Sequence, residues 1–152
     1  MENANKSKKI LIVDDEPIIL IAIEFLLVKE GYSVQKAFDG HQAIQKVDSF
    51  RPDIVILDVM MPGFNGFEVA RRIRNIEGNE DVRIIFLTAR GTQEDKMTGY
   101  STGGEYYLTK PFDNEELIGI VNELVEFGWF HSLFKILLGN CFYFNIKIVF
   151  LK

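Results

Sequence analysis

The feature that most constrains the fold of this chain is a regular alternation of short apolar runs with longer amphipathic segments. Five runs predict strands that are buried on both faces, at Lys9–Val13, Ser33–Ala37, Asp53–Leu57, Val82–Leu87 and Glu105–Leu108. The segments between them carry apolar residues at the spacing of one helix face, as in Ile19, Ala22, Ile23, Leu26 and Leu27. Five strands alternating with five helices predict an α/β fold in which helices cover both sides of a doubly wound parallel sheet.

The ends of the predicted helices are marked by residues that suit helix caps. Four side chains stand three positions before a polar residue, in the pattern of an N-cap: Asp39, Asn65, Thr92 and Asp113. Pro17 suits the first turn of the first helix, and Gly31 suits its left-handed C-terminal exit.

Polar side chains stand at the carboxyl ends of four predicted strands, where function collects in such sheets. They are Asp14 and Asp15 after the first strand, Asp58 after the third, Thr88 after the fourth and Lys110 just after the fifth. A single acid at a strand end is most often a helix cap or a solvated turn. The occurrence of these residues at four strand ends together predicts a functional site.

The charges of this set indicate its chemistry. Three carboxylates in one crevice repel one another unless a cation lies among them, and Mg²⁺ prefers carboxylate, carbonyl and water oxygens. The chain has neither a GxxxxGK[ST] loop nor a GxGxxG turn, so a nucleotide is not the obvious phosphate carrier. An aspartate can itself accept a phosphoryl group when Mg²⁺, a hydroxyl such as Thr88 and the ammonium of Lys110 neutralise the phosphoryl oxygens.

Four motifs carry a resemblance to a known family: Val13–Pro17, Asp58–Pro62 with Gly66, Thr88–Ala89, and Tyr107–Phe112. In order and spacing they resemble the receiver domain of two-component response regulators, of the single-domain type found in chemotaxis regulators. The resemblance covers residues 9–126 and implies a flavodoxin-like sheet with strand order 2-1-3-4-5. The chain departs from the family at Gly103-Gly104-Glu105, where Gly-Ala-Asp is usual.

The resemblance also implies a role for each site residue. It implies that Asp58 is the phosphoacceptor, that Asp14, Asp15, Asp58 and the backbone carbonyl of Met60 hold Mg²⁺, and that Lys110 binds the phosphoryl group. Thr88 is the expected switch hydroxyl and Tyr107 the switch aromatic, and the Lys110–Pro111 peptide is expected to be cis. The implied phosphodonor is a sensor histidine kinase or a phosphotransfer protein. The domain then catalyses its own phosphorylation and dephosphorylation without being an enzyme that acts on a separate substrate.

Two other functions remain open at this stage. One is a degenerate receiver that only binds a partner, which the intact set of site residues disfavours. The other is a phosphohydrolase of the haloacid dehalogenase type, which needs a second acid two residues after an aspartate nucleophile on the first strand. This chain has Met60 at the position two residues after Asp58. Glu16 is interpreted as a cap of the first helix that influences the metal through water.

Three parts are predicted along the chain: a disordered N-terminal segment at residues 1–8, the receiver domain at 9–126, and an apolar tail at 127–152. Charge locates the second boundary. Residues 1–126 carry a net charge of -8, whereas the tail has three lysines and no acid. The overall charge of -5 disfavours nucleic acid as a partner. The lone Cys141 and the short apolar run behind the N-terminus predict a cytoplasmic protein.

The tail contains two patterns, a short apolar helix at Trp129–Leu138 and an alternating strand at Cys141–Leu151. We expect it to pack on the receiver or on a second copy, with a homodimer through the tail as the expected form. The alternatives are a membrane-surface anchor and a segment produced by a frameshift or read-through, since residues with AT-rich codons dominate it.

Overall fold

The computed structural model describes the backbone of residues 8–89 and 91–138, and their side chains except at 93, 100 and 128–138. Five parallel strands form the main sheet: β1 (Lys9–Val13), β2 (Ser33–Ala37), β3 (Ile54–Asp58), β4 (Arg83–Thr88) and β5 (Tyr106–Thr109). Their order across the sheet is β2-β1-β3-β4-β5. The expected 2-1-3-4-5 order is therefore confirmed. A small antiparallel hairpin, Met60–Met61 paired with Phe64–Asn65, follows β3.

Five helices connect the strands: α1 (Pro17–Lys29), α2 (Gly40–Phe50), α3 (Gly66–Asn75), α4 (Gln93–Ser101) and α5 (Asn114–Leu138). All four predicted N-caps are confirmed, since each side chain accepts a hydrogen bond from a first-turn backbone N–H. The acceptors are Asp39, Asn65, Thr92 and Asp113. Gly31 has a φ of +95°, a left-handed conformation that glycine adopts without strain and that ends α1.

Two apolar clusters lie on opposite faces of the sheet. One joins α2 and α3 to alternate residues of the strands, with Phe86 and Leu57 at its centre. The other joins α1 and α5, through residues such as Ile23 and Val121, to the remaining strand residues. Because each central strand supplies side chains to both clusters, the sheet is a rigid platform for the residues at its carboxyl ends.

Two details differ from the expected burial. The prediction that all five strands are buried on both faces is wrong for the two edge strands: only Ala37 is fully buried on β2, and only Leu108 on β5. On α1, Ala22 is exposed and Leu20 is buried, although the sequence placed Ala22 on the buried face. Helix α1 is apolar on nearly every side, so apolar spacing alone could not locate its buried face.

The helix after β5 is longer than the sequence indicated. The helix predicted at Trp129–Leu138 is present, but it is the last part of α5, which runs without a break from Asn114 to Leu138 and across position 126/127. Gly128 is the only residue near that position that disfavours a helix, and one glycine costs only about 1 kcal/mol relative to alanine. Residues 1–7 of the predicted disordered segment, and the predicted strand at Cys141–Leu151, lie outside the described residues.

At the amino edge of the sheet, Arg74 near the end of α3 connects several elements. Its guanidinium donates to the backbone oxygens of Val82 and Gly103 and forms a 3.2 Å ion pair with Glu105. Glu105 in turn accepts a 2.6 Å hydrogen bond from the backbone N–H of Ile84. The departure at Gly103-Gly104-Glu105 therefore lies at the edge of the sheet opposite to the polar strand ends.

Candidate functional site

Three carboxylates meet at the carboxyl edge of the sheet. Asp14 follows β1, Asp15 comes next, and Asp58 is the last residue of β3, which is the strand beside β1. One oxygen from each of the three lies within 4.8 Å of the others. Asp14 and Asp58 are buried, with 1% and 4% of their surfaces exposed, whereas Asp15 is only half-buried. Two of the three charges are therefore held largely out of water.

Backbone N–H groups fix the orientation of the two buried carboxylates. Asp14 Oδ1 accepts from the N–H of Glu16 at 2.9 Å, and Asp58 Oδ1 accepts from the N–H of Met60 at 3.1 Å. Each bond is local, because it joins residues two positions apart in the turn after a strand. The other oxygen of each carboxylate is thereby directed toward Lys110.

Lys110 supplies the cation of the cluster. Its Nζ lies 2.7 Å from Asp14 Oδ2, 3.5 Å from Asp58 Oδ2 and 3.4 Å from Glu16 Oε1. The residue follows β5, and its backbone N–H donates to the carbonyl oxygen of Thr88 at 2.7 Å. The peptide between Lys110 and Pro111 is cis, as expected.

The electrostatics of the cluster are unbalanced at Asp58. Burial, followed by the charge of Asp14, raises the pKa of Asp58 from 3.8 to about 6, although Lys110 and the Met60 N–H act in the opposite direction. Burial by itself lowers the pKa of Lys110, but its hydrogen bond to Asp14 and the surrounding carboxylates outweigh burial and raise that pKa. Lys110 is therefore held as a cation, while Asp58 carries an incompletely compensated negative charge.

The donor set fits a hard divalent cation. Carboxylate oxygens are the ligands that Mg²⁺ prefers, and three of them converge here within 4.8 Å of one another. A single ammonium leaves this group of acids with excess negative charge, which a divalent ion can neutralise. Asp14, Asp15 and Asp58 are therefore the residues in the described part of the chain that fit such an ion.

Thr88 lies on β4, the strand next to β3, and Tyr107 lies on β5, the strand beyond β4. Thr88 is the fully buried last residue of β4, one position beyond Leu87, which pairs with Asp58 in the sheet. Tyr107 lies on β5 opposite Phe86 and is half-buried, with its ring 6.2 Å from Phe86 and 6.4 Å from Phe67. An aromatic cluster therefore extends from the carboxyl end of β4 toward α3 and α4.

Two glycines permit close packing, Gly66 at the site and Gly104 at the opposite edge of the sheet. A Cβ on Gly66 would lie 2.3 Å from the backbone oxygen of Asp58, so no other residue lets α3 start this close to β3. A Cβ on Gly104 would lie 2.5 Å from the ring of Phe86. Gly66 belongs to the motifs identified in the sequence, whereas the contact between Gly104 and Phe86 could not be predicted from sequence spacing.

Glu16 has a different role from the predicted one. As the residue before α1 it makes no side-chain cap hydrogen bond, so the interpretation as a helix cap is wrong. Its carboxylate instead faces Lys110 at 3.4 Å while remaining 61% exposed. Lys110 directly follows β5, so Glu16 contributes to the charge around the site through this ion pair.

Comparison with known proteins places this geometry in a family. Residues 10–122 match the model of the response regulator receiver domain. The chain is also 40% identical over 118 residues to the transcriptional regulatory protein TrcR of Mycobacterium tuberculosis, covering 78% of this chain and 45% of that protein. The chain therefore spans less than half the length of this curated relative.

Two solved structures resemble the fold at 34% identity. The chemotaxis protein CheY4 of Vibrio cholerae superimposes with a TM-score of 0.73, over 76% of this chain and 97% of that one. The receiver domain of the sensor histidine kinase PA1611 of Pseudomonas aeruginosa gives 0.72, over 78% and 98%, and holds a magnesium ion in its active-site cleft. Across the part of the chain that the structure describes, no helix has both the length and the apolar character needed to cross a membrane.

Proposed function

The chain belongs to the response regulator receiver family of two-component systems, and from this premise we propose that Asp58 accepts a phosphoryl group from a phosphohistidine. The phosphodonor is a sensor histidine kinase or a phosphotransfer protein. The observation that carries the proposal is the position of Asp58. It is the buried carboxylate with a raised pKa that lies beside Asp14 and Asp15, with Lys110 Nζ 3.5 Å from one of its oxygens.

The transfer forms one bond and breaks another. An oxygen of the Asp58 carboxylate attacks the phosphorus, the P–N bond to the donor imidazole breaks, and its electron pair leaves with that nitrogen. The product is an aspartyl phosphate. Water later attacks the same phosphorus, the P–O bond to Asp58 breaks, and inorganic phosphate is released. The domain therefore catalyses its own phosphorylation and dephosphorylation.

The residues around Asp58 contribute mainly position and charge. The Met60 N–H holds one oxygen of Asp58 in place, which leaves the other oxygen free to act as the nucleophile. Lys110 Nζ, at 3.5 Å from that second oxygen, is placed to donate to an oxygen of the incoming phosphoryl group. The hydroxyl of Thr88 is the proposed donor to another phosphoryl oxygen.

We assign Asp14, Asp15, Asp58 and the backbone carbonyl of Met60 as the residues that hold Mg²⁺. When bound, Mg²⁺ neutralises the excess charge of the carboxylates and of the phosphoryl oxygens. The magnesium in the cleft of the PA1611 receiver supports this assignment. Asp15→Ala should weaken Mg²⁺ binding and slow phosphorylation, because it removes a ligand and leaves the acceptor in place.

Phosphorylation is proposed to act through Thr88 and Tyr107. The phosphoryl group adds negative charge and acceptor oxygens at Asp58, which attract the Thr88 hydroxyl. Tyr107 then moves into the space that Thr88 leaves, and the face formed by α4, β5 and α5 changes. We assign Lys96, Tyr100 and Tyr107 to this readout face; the side chain of Tyr100 lies outside the described residues. The output partner is a protein, and we expect no direct binding to nucleic acid.

Incubation of the full chain with Mg²⁺ and acetyl phosphate, followed by intact-mass measurement, tests the proposal. The expected result is a gain of one phosphoryl mass that disappears in Asp58→Asn and in the presence of a chelator. Asp48→Asn is the matched control, since Asp48 is an exposed carboxylate on α2. An undiminished gain in Asp58→Asn would refute the assignment. A chain that never gains the mass would instead be the degenerate, partner-binding receiver.

A further inference from the structure

Helix α1 exposes a row of large apolar side chains. Its members follow an i, i+3, i+7, i+10 spacing and form one face of the helix, here called the α1 stripe: Ile18, Ile21, Phe25 and Val28. They are 80%, 60%, 68% and 54% exposed. The buried face of α1, with Leu20, Ile23 and Leu27, is a different one. Single exposed apolar residues are ordinary, but a row of four on one helix indicates a contact surface.

The tail defined above, residues 127–152, has the apolar side chains and the positive charge that suit binding to this surface. The strand pattern at Cys141–Leu151 places five large apolar side chains on one side: Phe142, Phe144, Ile146, Ile148 and Phe150. The tail has a net charge of +3, whereas residues 1–126 have -8. Attraction therefore favours contact between the tail and the receiver, while two receivers repel each other.

The position of α5 brings the tail next to α1. Both helices pack on the same face of the sheet, and the hydroxyl of Tyr32, just after α1, donates to Asn122 Oδ1 of α5 at 2.5 Å. Leu124 and Val125 of α5 line a cleft with Lys8, Asp53 and Arg83, at the amino edge of the sheet. The rest of α5 extends beyond this edge, near the end of α1 that carries Val28.

The tail is long enough to reach back from the end of α5 to α1. From Val125 to Leu138, α5 extends for about 20 Å at 1.5 Å per residue. The fourteen residues after Leu138 span at most about 45 Å when extended. A chain that turns back over 20 Å still has about 25 Å, which exceeds the length of about 15 Å between Ile18 and Val28.

We propose that the end of the tail, residues 146–151, packs on the α1 stripe of its own chain, with the side that carries Ile148 and Phe150 against Phe25 and Ile21. The tail is attached to α5, so its effective concentration at α1 is in the millimolar range, above the concentration of a second copy in solution. This proposal replaces the homodimer expected from the tail alone, because the sequence did not reveal that α1 offers an apolar surface. Any protein that uses α1 must displace the tail.

A cysteine pair in the full chain tests the contact. In a Cys141→Ser background, which has no other cysteine, Ile148→Cys is combined with Ala22→Cys beside the stripe. The control combines Ile148→Cys with Arg71→Cys, an exposed position on α3 at the opposite face of the sheet. Mild oxidation should give an intramolecular disulfide at least 10-fold faster with Ala22→Cys than with Arg71→Cys, as measured by intact mass and a non-reducing gel.

A second measurement uses hydrogen exchange on chains without added cysteines. The double variant Ile148→Ser/Phe150→Ser should increase exchange in α1, whereas Lys147→Ser/Val149→Ser, on the other side of the predicted strand, should leave it unchanged. Equal disulfide rates in the two cysteine pairs would overturn the proposal. Disulfide-linked dimers that increase with protein concentration would assign the stripe to a second copy. Sedimentation of the protein with anionic phospholipid vesicles would assign the tail to a membrane surface. Either of these results would also overturn the proposal. Since no phosphodonor is present, the result is independent of the proposed phosphorylation.

Discussion

Lys110 Nζ lies closer to Asp14 than to Asp58, at 2.7 Å against 3.5 Å. In this state the ammonium mainly compensates a carboxylate assigned to the metal site and only partly compensates the acceptor. The arrangement explains why the pKa of Asp58 stays raised beside a cation, since burial and the charge of Asp14 outweigh Lys110. A cation that replaces Lys110 at Asp14 would leave the ammonium free to meet a phosphoryl oxygen.

Removal of Lys110 should lower the stability of the protein, because Lys110 is paired with the buried Asp14. Lys110→Met leaves Asp14, which is 1% exposed, without its partner, and breaking a buried ion pair costs about 3 kcal/mol or more. Urea unfolding without Mg²⁺ should show this loss, and Asp14→Asn in the Lys110→Met background should recover most of it. Saturating Mg²⁺ should also reduce the loss. Equal losses with Asp14 and with Asn at position 14 would contradict the pairing.

The raised pKa of Asp58 predicts how stability depends on pH in the absence of metal. A folded-state pKa of about 6 against 3.8 means that the folded state holds this proton more tightly. The contribution of Asp58 to the free energy of unfolding is therefore lost as pH rises from about 4 to 6. Asp58→Asn should match the wild type below pH 4 and be more stable above pH 6, by up to about 3 kcal/mol at 1.36 kcal/mol per unit. Urea titrations with a chelator, from pH 3.5 to 7.5, measure the difference in the free energy of unfolding between the two proteins. A difference that does not change with pH would refute the prediction.

Gly66 should be intolerant of even one added methyl group. In Gly66→Ala the new Cβ meets the backbone of Asp58, so either α3 or the end of β3 must shift. We expect a loss of about 1–3 kcal/mol and slower phosphorylation. Gly119→Ala is the control, because nothing lies within 4 Å of its Cβ on α5; that variant should gain about 1 kcal/mol. Thermal unfolding and the acetyl phosphate reaction measure both variants.

The switch predicts a specific pattern of hydrogen exchange. Addition of beryllofluoride with Mg²⁺, a mimic of the phosphoryl group, should alter exchange at Asp58 and also on α4 and β5, around Lys96 and Tyr107. In Thr88→Ala the changes should remain near Asp58, because the group that connects the two strands is lost. Changes that remain within a few residues of Asp58 in both proteins would refute the coupling.

The sequence predicted the five strands to within one residue at each end. β1 and β2 agree exactly, whereas β3, β4 and β5 begin and end one residue later than their apolar runs. Asp58 and Thr88 are polar but still pair in the sheet. A strand predicted from its apolar residues therefore ends one residue too early. These two polar residues end the strands and belong to the site at the same time.

Other features depend on contacts that sequence spacing cannot show. The preference of Lys110 for Asp14 joins residues 96 positions apart, and Phe86 fits against Gly104 only once β4 and β5 are paired. The α1 stripe was hidden because α1 is apolar on both its buried and its exposed face. The spacing of motifs in the sequence predicted which side chains lie together in the site. Which of them pair with each other depends on distances in the folded chain.

The bond from Arg74 to the carbonyl of Gly103 has a mechanical consequence for α4. Gly103 comes two residues after α4, and its carbonyl is bound to a guanidinium that also contacts the start of β4. The C-terminal end of α4 is therefore anchored far from Asp58, while its N-terminal end follows the loop that leaves Thr88. We therefore expect a displacement of Thr88 to rotate α4 about Gly103, with the largest motion at the N-terminal end of the helix, which is the end nearest to the phosphoacceptor.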